Sequence, residues 1–244
     1  MKISRSAWNA YIEKLSQIQS KAADLMQSYI NQHGTADFNA LIAYAYSLTS
    51  HYGSAAATLA CEMYDATAAA QGATVPDAEP ADGYSYAETA VVINGAKKQS
   101  NMVISPAVAR MVKQAAADTT TQNAIRDGAE WAWIPNGDTC AFCLTLASRG
   151  WQRASKNALK GNHAQHIHAN CDCNFCIRFD KKSSVAGYDP DALLDKYYSA
   201  DGDTPTDKIN SLRRENYAKN KDAINAQKRD NYAINKSNDK TISD

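Results

Sequence analysis

Cys140-x-x-Cys143 and Cys171-x-Cys173-x-x-Cys176 place five of the six cysteines of this 244-residue chain between positions 140 and 176. His163, His166 and His168 stand just ahead of the second group. Two thiolates separated by two residues can turn back onto one ion, because a tight turn puts both sulfurs on the same side. Cys140 and Cys143 form such a knuckle. His163, His166, His168, Cys171, Cys173 and Cys176 are the candidates for the rest of a tetrahedral set. Mixed sulfur and nitrogen donors suit Zn2+, a cation with no redox chemistry and no d-electron shape preference. Disulfide pairing is the competing use of such cysteines and needs an oxidising compartment. The first residues, MKISRSAWNAYIEKLSQ, read as an amphipathic helix without a secretory apolar run, so reduced thiols are expected. Cys61, alone in AAATLACEMYD, reads as a buried core residue.

Other chemistries compete for the same stretch. His166-x-His168 beside cysteine knuckles is also the material of a metal-dependent nuclease, with Asp138, Asp172 and His163 as second-shell groups or base. That chemistry needs an open coordination position, and the abundance of sulfur argues instead for a closed structural site. A nucleic-acid-binding module would use Arg149, Arg153, Lys156 and Lys160 on phosphates and stack Trp151 on a base. No His-Glu-x-x-His or Gly-x-Ser-x-Gly sequence points to a protease, and no Gly-rich phosphate loop points to a nucleotide-hydrolysing motor. The expectation is therefore a non-enzymatic protein with a structural zinc.

The elements that must position these donors begin with helices. Apolar residues recur at Trp8, Ile12, Leu15, Ile18, Ala22, Leu25 or Met26, and Tyr29, the spacing of one helical face over 6–31. Gly34 breaks that helix, Thr35 or Asp37 can cap the next, and residues 38–50 resume the pattern. A third, Ala-rich helix is predicted over 54–70, after Gly53. GATVPDAEPADG at 72–83 predicts an extended connection. Helices follow at 84–96 and 106–127, the latter with Ser105 as cap and Pro106 in its first turn. From Glu130 the pattern changes: Trp131 and Trp133 alternate as in a strand, and Asn136-Gly137-Asp138 forms a turn into the knuckle. One or two helical turns at 144–148 and strands at 151–153 and 176–179 complete a small sheet. So few large aliphatic residues lie here that a metal is expected to supply folding energy.

A short helix is predicted at 191–198, a loop at 201–206, and then a polar tail. Ile209-Asn210-x-x-x-Arg214-x-Asn216-Tyr217-Ala218-x-Asn220-Lys221 recurs 15 residues later, from Ile224 to Lys236. That offset is about four helical turns. Net charge is zero, yet residues 1–138 carry 9 basic and 13 acidic side chains while 206–244 carry 9 and 6. A basic tail can touch DNA or an acidic partner. The most apolar run, 40–48, falls far short of the roughly 20 residues of a membrane span, so a soluble protein is expected.

Three segments taken together resemble the phage minor head protein family, in its MuF-like group. They are His51-Tyr52-Gly53-Ser54-Ala55-Ala56 leading to Ala60-Cys61-Glu62-Met63-Tyr64-Asp65; Cys140-Ala141-Phe142-Cys143-Leu144 with Leu146-Ala147-Ser148-Arg149-Gly150; and His168-Ala169-Asn170-Cys171-Asp172-Cys173. The resemblance covers about residues 5–180. It implies a minor capsid protein of the virion, made in the host cytoplasm, which binds the portal or major capsid protein and contacts packaged DNA. Its metal motif falls on Cys140, Cys143, His168 and either Cys171 or Cys173. The expected architecture is mainly α: a helical body over 1–128, a small zinc-stapled α+β module over 129–180, and a linker with polar helical tail over 181–244.

Overall fold

The computed structural model describes residues 2–135, 141–156 and 173–241. The mainly α expectation holds. Helices α1 (Arg5–His33), α2 (Phe38–Gln71), α3 (Tyr86–Gln99) and α4 (Ile104–Asp127) form the body, and α2 packs most extensively on α4 and α1 on both. Trp8, Tyr11, Leu15, Ala22, Met26 and Ile30 give α1 its buried stripe, with Met26 fully enclosed. Each start has a local cause. Ser4 Oγ accepts from Ala7 N, Asp37 accepts from Ala40 N at 3.0 Å, and Ser85 and Glu88 form a reciprocal capping box.

Of the boundaries that differ from the sequence expectation, two have a clear physical cause. The helices expected over 38–50 and 54–70 are one 34-residue helix, with Gly53 buried inside it. A Cβ on Gly53 would stand 3.6 Å from that of Ala115, so the glycine marks the close approach of α2 to α4 rather than a break. Ser105 does not cap α4. The helix begins at Ile104 after a 3-10 turn, Asn101–Val103, which Ser100 caps, and Ser105 Oγ donates to Gln27 Oε1 of α1 at 3.1 Å.

Beyond Gly128, whose left-handed conformation closes α4, a three-stranded antiparallel sheet runs in the order β3 (Gln152–Arg153), β2 (Glu130–Ile134), β4 (Asn174–Arg178). Trp131 is opposite Ile177, and Trp133 opposite Phe175. A second, parallel pair joins β1 (Lys2–Ile3) to β5 (Ser184–Val185), tying the start of the chain to the segment after the sheet. Short helices α5 (Ala141–Ala147) and α6 (Pro190–Tyr198) meet the first turns of the 37-residue α7 (Pro205–Thr241). No helix among the described residues is long and apolar enough to cross a membrane.

Candidate functional site

Strand alternation decides which cysteines can meet. Ala132, Ile134 and Cys176 point to the face that completes the core of α1, α2 and α4. Trp131, Trp133, Phe175 and Ile177 point to the other face, where Cys143, Leu146 and Ala147 of α5 and Cys173 complete a second cluster. Cys143 and Cys173 are each 1 % exposed. They reach this cluster from opposite sides of a 30-residue stretch of sequence, because α5 lies against β2 and Cys173 immediately precedes β4. Cys176 is on the opposite side of the sheet from both. Burial pushes its thiol well up, and its Sγ donates to the Ile177 carbonyl at 3.8 Å. It is an apolar-core cysteine and cannot share an ion with Cys143 and Cys173.

Cys140, His163, His166, His168 and Cys171 lie outside the described residues, as do Asp138, Lys160 and Asp172. Among the described residues no group of three or more His, Cys, Asp or Glu side chains is placed to hold a metal. The two donors that are described do fit a thiolate site in kind: they are soft ligands, buried together, on segments that each lead directly to further candidates. Large aliphatic residues are few here, and aromatic rings supply much of the apolar mass. Trp131 stacks on Phe175 at 4.8 Å, and Trp133 meets the same ring edge-on at 5.5 Å. Tyr64 of α2 and Leu146 close the cluster. Each such side chain stabilises by about 1.5–3 kcal/mol on burial, so this aromatic cluster contributes to holding the sheet in place.

Register is locked at the far end by Arg178, which donates to Glu130 Oε2 at 2.7 Å and to the Ser183 carbonyl at 3.0 Å. Its guanidinium also lies 4.6 Å from the centre of the Trp151 ring. Tyr188 meets that ring edge-on and donates its hydroxyl to the Ala147 carbonyl. Trp151 is half-buried, with Arg178 and Tyr188 against its ring, which leaves less of its surface for the base stacking of the nucleic-acid alternative. Arg149, Arg153 and Lys156 are exposed. Cys61 is half-buried at the edge of α2 rather than in the core, since the helix turns Ala60 and Tyr64 inward and leaves position 61 beside them; burial and Asp65 raise its thiol.

Sequence reasoning missed a strap. Residues 72–85 lie along α2 and α4 and are fastened by side chains to their main-chain groups. Asp65 accepts from Ala78 N, Asn123 accepts from Glu79 N and donates to its carbonyl, and Thr119 accepts from Ala81 N. Arg126 donates to the carbonyls of Pro76 and Asp77 and is paired with Asp127 at 2.7 Å. Tyr64 Oη donates to Asp127 at 2.7 Å. The Tyr64-Asp65 pair singled out in the sequence thus joins α2 to α4 and to the strap. The available signal was the run of polar residues, Thr119, Gln122, Asn123 and Arg126, recurring on one side of a predicted helix.

Fold and site together define a mainly helical protein with a small antiparallel sheet, in which Cys143 and Cys173 are buried in one aromatic cluster. Its place among known proteins follows from the family comparison: the chain belongs to the VG15 protein family, whose model matches residues 2–200. It is accordingly a phage-encoded protein. The matched span takes in the body, the sheet and α6, and ends before α7. No curated protein and no solved structure matches the chain.

Proposed function

We propose that this protein is a minor capsid protein of the phage head, acting in head morphogenesis by binding the portal or major capsid protein, with a structural Zn2+ at the edge of its sheet. The observation that carries the metal is the common burial of Cys143 and Cys173. Cys140 and His168, with Cys171 or Cys173, would complete the set. Bound there, zinc would tie the knuckle before α5 to the segment entering β4. The role in the head rests on the phage family and on the similarity of the segments around Gly53, Cys143 and Cys173 to minor head proteins. The protein's own part in the site is to bury the sulfurs against Trp131, Trp133 and Phe175, keeping water from the metal–sulfur bonds.

Elemental analysis and X-ray absorption on full-length protein, purified reduced and without chelator, test the metal. The expected result is one zinc per chain in a sulfur-rich four-coordinate shell, lost in Cys143→Ser. Folded, reduced protein free of metal would sink it. Co-sedimentation with assembled portal rings tests the role in the head; absence of association with both portal and capsid protein would overturn that half.

A further inference from the structure

Helix α7 uses one side to dock and leaves the other open. Ser211 and Leu212 are each 5 % exposed, and Ile209 and Leu212 pack with Ala141 and Leu144 of α5 and Leu193 and Tyr197 of α6. Lys208 Nζ reinforces the seat by donating to the carbonyls of Tyr198 and Ala200. Past Leu212 the charged side chains through Asp222 are exposed. At about 100° per residue, Arg213 and Lys221 flank Tyr217 within about 40°, Arg214 lies about 60° away, and Leu212 lies about 140° away on the docked side. Glu215 and Asp222 fall on the far side, about 140–160° from Tyr217. Asp207, the acid nearest the basic face, accepts from Thr204 N and Oγ1 and keeps its charge near Arg214, leaving the cations of this face in excess. The open side is therefore a basic stripe with a 45 % exposed tyrosine at its centre.

The sequence then repeats the stripe. Arg213-x-x-x-Tyr217-x-x-x-Lys221 is followed 15 residues on by Lys228-x-x-x-Tyr232-x-x-x-Lys236 within the bounds of the same helix. A solvated helix has no need to keep acids off one face or to repeat an aromatic between two cations. Regularly spaced cations on a stiff rod complement a stiff polyanion whose charges are also regularly spaced. The tyrosine hydroxyl adds a hydrogen-bond donor to phosphate.

We infer that this face of α7 docks on the phosphate backbone of double-stranded DNA. Arg213, Arg214 and Lys221 neutralise phosphates, and Tyr217 donates to a phosphate oxygen. The inference deepens the head-protein reading by assigning the DNA contact to α7, and it does not depend on zinc.

The test is a salt titration of full-length protein binding to a fluorescent duplex of random sequence, with zinc content and circular dichroism read on the same samples. Wild type should bind with a steep salt dependence. The variant R213Q/R214Q/K221Q should bind at least tenfold more weakly, with the log–log salt slope reduced by about 3. Lys219→Gln, on the opposite side, should change affinity less than twofold, and Tyr217→Phe should weaken binding severalfold without changing the slope. Equal slopes for wild type and the triple variant would overturn the inference. So would binding confined to anionic vesicles, or tighter binding to single strands at matched salt. Loss of zinc with DNA binding retained would defeat the metal proposal alone.

Discussion

Asp180 shows how one side chain organises the exit from the sheet. Its Oδ1 accepts from Lys182 N and Ser183 N, and its Oδ2 accepts from Ser183 Oγ at 2.6 Å. The turn places Lys181 at φ 56°, a left-handed conformation that the ring of hydrogen bonds holds in place. Burial pushes the carboxyl up, but the bonds from Ser183 and Lys182 outweigh it and hold it down at about 2. The folded value lies below the ordinary 3.8, so the stabilisation is complete above the ordinary value and is lost as pH falls through about 2. Asp180→Ala should cost about 1 kcal/mol near neutrality, after allowing for solvent screening. Denaturant titrations of the two proteins should converge as pH is lowered from 4 towards 2. A deficit that stays constant over that window would show that the carboxylate's charge is not the source.

At the scale of elements, the crossing of α2 and α4 depends on small residues. Gly53, Ala56, Ala57 and Ala60 are buried on α2, and Ala115 and Ala116 answer them on α4. Close backbone approach is the only way such residues can fill space, so the crossing is sensitive to size. A methyl group on Gly53 meets Ala115 at an ordinary contact distance, and the position is helical. Gly53→Ala should therefore stabilise by up to about 1 kcal/mol through helix propensity. Gly53→Leu should destabilise by about 1–3 kcal/mol or more, because it must separate the helices. Chemical denaturation distinguishes the two, and a destabilising Gly53→Ala would mean that the crossing has no room for a single methyl.

Across the whole molecule the sheet is a shared wall. One face completes the core of α1, α2 and α4, while the other, with Tyr64 of α2, completes the aromatic cluster. Glutamine 71 at the end of α2 accepts from Phe179 N and Asp180 N, and β1 pairs with β5 across the chain. These contacts couple the helices to the sheet. In a Trp8→Phe variant the remaining tryptophans, Trp131, Trp133 and Trp151, all lie at the sheet, and its fluorescence and helical ellipticity at 222 nm should follow one coincident thermal transition. Separate transitions would mean that the helical body and the sheet fold as independent units.

The helices and the polar tail were legible because periodicity and capping are local: the stripe from Trp8 to Tyr29, Asp37 as a cap and Pro190 at a helix start are set by neighbours in sequence. The five clustered cysteines were legible as a donor inventory, but a spacing cannot say which sulfurs share a side. Two decisions belonged to the tertiary structure. Strand pairing put Cys176 and Cys173 on opposite faces of β4, because side chains alternate along a strand and only pairing fixes which buried cluster each face joins. Packing turned Gly53 from an apparent helix breaker into part of the small-residue contact of α2 and α4, where a methyl fits but a long side chain would separate the helices.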